Sequence, residues 1–189
     1  MPRLARILDR LEEILIMGLM AAATLIIFVA VVHRYAASLP PLQDALAEID
    51  LGWAQELCIY LFVWMAKFGA AYGVRTGIHV GVDVVVRALK PAPRKQVILF
   101  GLCCGALFTF IIGTLGAEFV WRIAHTTTVS PDLEIPKWIV YLAIPCGSYL
   151  MCFRFVQVGW TYYRTGDLPA HDHAAVEGLD VPAPAEKRP

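Results

Sequence analysis

Residues 56–83 read ELCIYLFVWMAKFGAAYGVRTGIHVGVD. The run is apolar enough to cross a bilayer, yet it holds Lys67 and ends on Arg75, His79 and Asp83. An ionisable group at the centre of a membrane helix costs roughly 2.5 to 3.5 kcal/mol on insertion scales, so one that persists has a partner or a task. Composition supports a membrane reading. Of 189 residues, 58% are hydrophobic and 17% charged, with a mean hydropathy of +0.61, too apolar for an ordinary soluble domain.

Three more apolar runs lie around this stretch, the first two free of charge. Ile14 to Val32 gives 19 such positions, which at helical rise span roughly 28 Å, close to the hydrocarbon thickness. Asp9, Arg10, Glu12 and Glu13 before this run, and His33 and Arg34 after it, supply its polar ends. Gln96 to Ala117 forms a third span, closed by Glu118, Trp121 and Arg122. A fourth begins at Pro136, a proline suited to a first helical turn, and contains Pro145 and Gly147, which bend it or free backbone groups for a neighbour. The expected fold is an all-α membrane protein with spans at about 12–33, 53–75, 96–120 and 136–160, forming one membrane domain over 1–164. Residues 165–189, with four prolines and few large apolar side chains, read as a disordered tail.

The connections differ in character. Residues 35–52 place Leu42, Leu46 and Ile49 at helical spacing, which fits a short surface helix whose acidic side faces a soluble partner or, the better reading, is merely solvated. Residues 77–90 alternate valines as a strand does, but also present Ile78, Val82, Val85 and Leu89 opposite His79, Asp83, Arg87 and Lys90. A lone strand beside lipid would leave backbone groups unpaired, so an interfacial amphipathic helix is the expectation. Thr126, Thr127, Thr128, Pro131 and Pro136 suit an extended third loop.

Basic residues are sorted. Arg3, Arg6 and Arg10, then Arg75, Arg87, Lys90, Arg94 and Lys95, then Arg164 fall at one set of ends; Arg34, Arg122 and Lys137 fall at the other. The positive-inside rule makes both termini and the middle connection cytoplasmic, with Trp53, Trp121 and Trp138 at the outer interface and Trp160 at the inner one. The N-terminal apolar run is too long for a signal-peptide core and has no cleavage site, so it stays as a span.

On the second span Glu56, Tyr60, Val63, Lys67, Ala71 and Val74 share a stripe that should face protein. Ala66, Gly69, Ala70, Ala71 and Gly73 would admit another helix. Lys67 and Arg154 have no obvious acidic partner at their depth in this chain. Two answers stand open: both cations reach lipid phosphates, or a second membrane protein supplies the anion. Trp64, one turn before Lys67, offers a cation–π contact.

Catalysis finds little footing. Ser148 has no nearby His and Asp set, no carboxylate pair shares a depth, and no phosphate-binding glycine loop occurs. His33, His79 and His125 sit at edges or in loops, unlike haem ligands, and His171 and His173 in a tail are weak grounds for a metal. The five cysteines lie in apolar runs without metal or redox spacing and read as small buried hydrophobes. No cofactor, metal or nucleic-acid partner is called for. No inverted repeat marks a complete carrier.

Glu56, Trp64, Phe68-Gly69-Ala70-Ala71, Arg75, His79 and Asp83, with Ile135-Pro136-Lys137-Trp138, Tyr141 and Ile144-Pro145-Cys146-Gly147-Ser148, together resemble the small membrane subunit of tripartite ATP-independent periplasmic (TRAP) transporters. The resemblance covers about residues 10–165. It implies a bacterial inner-membrane protein that braces a large multi-span subunit, which moves substrate in an elevator-like, sodium-coupled cycle, while a periplasmic binding protein delivers an organic acid, often a C4-dicarboxylate. The interface with that subunit or with lipid is expected to involve Glu56, Trp64, Lys67, Gly69, Ala70, Arg75, His79, Asp83, Pro145, Gly147 and Arg154. Lys67 departs from the apolar or small residues expected there. A membrane scaffold for another complex, or a small four-span exporter, are the competing readings.

Overall fold

The computed structural model describes residues 3–46, 48–76 and 91–166. Its helices are α1 (Arg3–Ala36), α2 (Pro40–Leu46), α3 (Gly52–Thr76), α4 (Pro91–Ala124), α5 (Lys137–Tyr141) and α6 (Ala143–Thr165). Among the described residues, four segments are long and apolar enough to cross a membrane: Arg10–Ala36, Gly52–Thr76, Pro93–Ala124 and Lys137–Thr165. The four-span all-α architecture expected from the charge-free runs is therefore present. The helices overrun those runs, because a helix does not stop where charge begins. The expected amphipathic helix at 77–90 and the tail from 167 lie outside the described residues, as do His79 and Asp83.

The packing is inside out relative to a soluble protein. Leu25, Phe28, Phe100, Phe108, Val156 and Trp160 face outward, while Ala23, Ala54, Ala71 and Ala143 are 0–1% exposed. Lipid tails solvate large apolar side chains as well as protein does, so helix association depends on close approach between small residues. The helices contact in the order α1 on α3, α3 on α6, and α6 on α4. Where α1 meets α3, the Cys58 thiol donates to the carbonyl of Ala23 at 3.2 Å.

The α4 seam toward α6 is a repeating stripe of Ile98, Leu102, Gly105, Thr109, Gly113, Gly116 and Val120, spaced three or four residues apart. Phe155 lies over Gly105 and Tyr149 over Gly113, while a Cβ at Gly116 would come within 2.7 Å of Ile144. Cys103 and Cys104 fall off this stripe and are exposed, as is Cys146. Of the five cysteines read as buried hydrophobes only Cys58 is so, because apolar runs in a membrane have an outer face that needs no burial.

The first connection contains the short helix, α2, with no buried residue. The fourth span is interrupted at Leu142, between α5 and α6. Pro145 explains the break: it has no N–H to give to the carbonyl of Tyr141 four residues earlier. The backbone amide of Leu142 still donates to Trp138 and that of Cys146 to Leu142, at 3.0 and 3.1 Å, so the span continues with one ladder bond missing. The third connection is not plainly extended. Ser130 N–H donates to the Ile135 carbonyl at 2.9 Å and Lys137 N–H to the Thr128 carbonyl at 3.1 Å, closing a narrow hairpin whose turn holds Glu134 at φ 53°.

Candidate functional site

Lys67 sits at a close approach of α3 and α6. A Cβ added to Gly147 would lie 2.5 Å from the Lys67 Cβ and 3.2 Å from its Cγ and Cδ. The missing side chain at 147 is thus what lets the Lys67 stem run across α6. Lys67 is half-buried, and no hydrogen bond or ion pair holds its ammonium among the described residues. Trp64 gives it no cation–π contact; its ring packs on Phe68, with centroids 5.7 Å apart.

Arg154 is different, and the reading that left it without an acid in this chain is corrected. Its side chain is 0% exposed, and Glu12 beside it is 4% exposed. Glu12 Oε1 accepts from Arg154 Nε at 3.0 Å and from Nη2 at 2.7 Å, while Nη1 donates to Gln157 Oε1 at 2.7 Å. This arrangement keeps Arg154 away from lipid and from any neighbouring protein. Glu12 was read as a polar end of the first span because the next residues begin an apolar run. The helix in fact starts nine residues earlier, at Arg3, so Glu12 sits within it at the depth of Arg154.

The neighbouring carboxylate, Glu13, takes a second cation. Its Oε1 accepts from Arg75 Nη2 at 2.7 Å, and the Arg75 guanidinium also lies over the Tyr72 ring at 4.8 Å. Two successive acids on α1 therefore hold arginines from two different helices, α3 and α6. The sequence signal available for them was the pair itself, Glu12-Glu13, directly before a charge-free run.

At the opposite end of the bundle Glu56, 8% exposed, works inside the chain. Its Oε1 accepts from the Tyr60 hydroxyl. Its Oε2 accepts from the backbone amides of Asp132 and Leu133, each at 2.9 Å, while the buried Ser130 hydroxyl lies beside the pair. One carboxylate on α3 thereby pins the turn of the third-loop hairpin. Nothing in the local sequence announces this contact, which joins residues 76 and 77 positions apart.

The small residues divide by face. Ala71 and Gly73 are buried within the chain; Gly69 has nothing within 4 Å of where a Cβ would stand, and Ala70 is half-buried. Pro145 and Gly147 are both buried on α6. The predicted site residues are thus not one cluster. Glu56 belongs to the hairpin, Arg75 and Arg154 to the paired acids, and Trp64, Lys67, Gly69 and Ala70 to the middle of α3.

Comparison with known proteins agrees with this architecture. The sequence model of the family described as "Tripartite ATP-independent periplasmic transporters, DctQ component" matches residues 23–164. The chain is 55% identical over 196 aligned positions to the C4-dicarboxylate TRAP transporter small permease protein DctQ of Rhodobacter capsulatus, covering 93% of this chain and 86% of that one. It is 33% identical to the protein of the same name from Pseudomonas aeruginosa, over 84% of this chain and 85% of that one, and 29% identical to that of Vibrio cholerae serotype O1, over 95% and 83%. With four membrane-capable helices and this match over most of its length, the chain belongs to the DctQ family of TRAP transporter small permease subunits, which are multi-pass inner-membrane proteins.

Proposed function

We propose that this chain is the non-catalytic support subunit of a C4-dicarboxylate TRAP transporter. It braces the fixed part of a large multi-span membrane subunit, which carries out sodium-coupled uptake, and helps dock a periplasmic binding protein. The substrate class comes from the names of the relatives. Both termini face the cytoplasm in this reading, which puts the Glu56-pinned hairpin on the periplasmic side, within reach of the binding protein.

The observation that carries the bracing role is the distribution of charge. Glu12, Glu56, Arg75 and Arg154 find partners inside the chain, whereas Lys67, set within a span, has none among the described residues. A cation held in hydrocarbon needs an anion. A carboxylate of the large subunit meets that need.

The experiment is co-purification with the large subunit, using Lys67→Leu and Lys67→Glu, with succinate uptake measured in parallel. Bracing predicts that the reversal releases the large subunit and abolishes uptake while the isolated chain keeps its melting temperature. Unchanged assembly in both variants, or succinate uptake by this chain alone in liposomes, would overturn the proposal.

A further inference from the structure

Between the C-terminal turns of α1 and the start of α3 lies a cavity of about 410 Å³. Its lining changes character along its length. Ile27 and Val31, one turn apart on α1, line its deeper part; Arg34 on α1 and Asp50 just before α3 supply the charges toward the helix end, with Ile49, Leu51 and Gln55 completing the wall. From Ile27 to Arg34 is about 10 Å at helical rise, and the change runs from the depth of the span toward its end. An occupant that uses the whole cavity is apolar at one end and polar at the other.

The polar end holds groups of both signs. Arg34 is exposed and has no partner among the described residues. Asp50 Oδ1 accepts from the Gly52 amide at 2.8 Å, which leaves Oδ2 for a ligand. His33 Nε2 is shut off from solvent with no hydrogen-bond partner, and a buried polar atom left unmatched is destabilising. An anion alone would satisfy Arg34 and ignore Asp50; a cation alone would do the reverse.

We propose that this cavity is a binding site for one zwitterionic phospholipid with a primary ammonium headgroup, of the phosphatidylethanolamine type. Its phosphate meets Arg34 in a charge-assisted hydrogen bond, its ammonium donates to Asp50, and the start of an acyl chain lies along Ile27 and Val31. The volume suits a headgroup and glycerol region, within the usual range for small-molecule sites. A quaternary ammonium headgroup lacks the N–H that Asp50 would accept. This site requires only that the helices cross a bilayer, so it stands or falls independently of the transport role.

The test is native mass spectrometry of the full chain in detergent, titrated with phosphatidylethanolamine, phosphatidylglycerol or succinate. The expected result is one phosphatidylethanolamine per chain, with phosphatidylglycerol at least tenfold weaker. Arg34→Gln and Asp50→Asn should each weaken phosphatidylethanolamine at least tenfold at an unchanged melting temperature. Both side chains are exposed, and Asn keeps the acceptor that caps Gly52, so folding should survive. Equal binding of the two lipids, undiminished binding in both variants, or displacement of the lipid by millimolar succinate would overturn it.

Discussion

The Lys67 stem occupies the space that a side chain at Gly147 would fill: a Cβ there would stand 2.5 Å from that of Lys67. Both groups lie close to helix backbone, so neither can move without shifting a helix. Gly147→Ala should therefore push α3 and α6 apart and cost about 1 to 3 kcal/mol. Thermal unfolding in detergent measures it, and Gly147→Ala combined with Lys67→Ala should still be destabilised, because the Cβ remains.

Gly69 offers the contrast. Nothing stands within 4 Å of its added Cβ, so Gly69→Ala should leave the isolated chain as stable or raise it by up to about 1 kcal/mol through helix propensity. If this face meets the large subunit, the same substitution should reduce its co-purification several-fold.

The Glu12–Arg154 pair is best examined by a double-mutant cycle. Arg154→Leu or Glu12→Leu alone leaves a buried charge uncompensated and should cost about 3 to 5 kcal/mol. The double variant should recover a large part of that loss, and the coupling is read from the melting temperatures of all four proteins.

Glu56 predicts a local effect. Glu56→Ala removes the acceptor shared by the Asp132 and Leu133 amides, so hydrogen exchange at those two amides should accelerate at least tenfold while exchange in α1 and α4 stays unchanged. Tyr60→Phe, which leaves both amide bonds intact, should have a smaller effect.

Orientation can be measured with a membrane-impermeant maleimide on intact cells. Ser38→Cys, in the α1–α2 turn, should react from outside. Thr165→Cys, at the end of α6, should react only after the membrane is opened.

The four spans were legible because lipid demands long charge-free runs, and such runs can be counted. The family was legible for a related reason, since its motifs lie around Lys67 and Pro145, where helix contact restricts residue choice. What the sequence hid was pairing at a distance. Glu12 and Arg154 stand 142 positions apart, and a carboxylate next to an apolar run looks like the edge of a helix until the helix is seen to continue past it. Pro145 announced a fault in the fourth span, but the fault falls at Leu142, beside Tyr141, whose carbonyl loses the bond that a residue other than proline at 145 would give it. The hairpin gave no warning: its threonines and prolines describe a loop, and its closure depends on a carboxylate from another span.

The link between Glu12 and Arg154 also fixes an order of events during synthesis. α1 emerges from the ribosome first and α6 last, and these two helices do not pack extensively on each other. Glu12 and Arg154 cannot meet until the two intervening spans have been made. A chain cut short before α6 would carry Glu12 without the Arg154 guanidinium that meets it here. The last span to be made thus certifies that the rest is present.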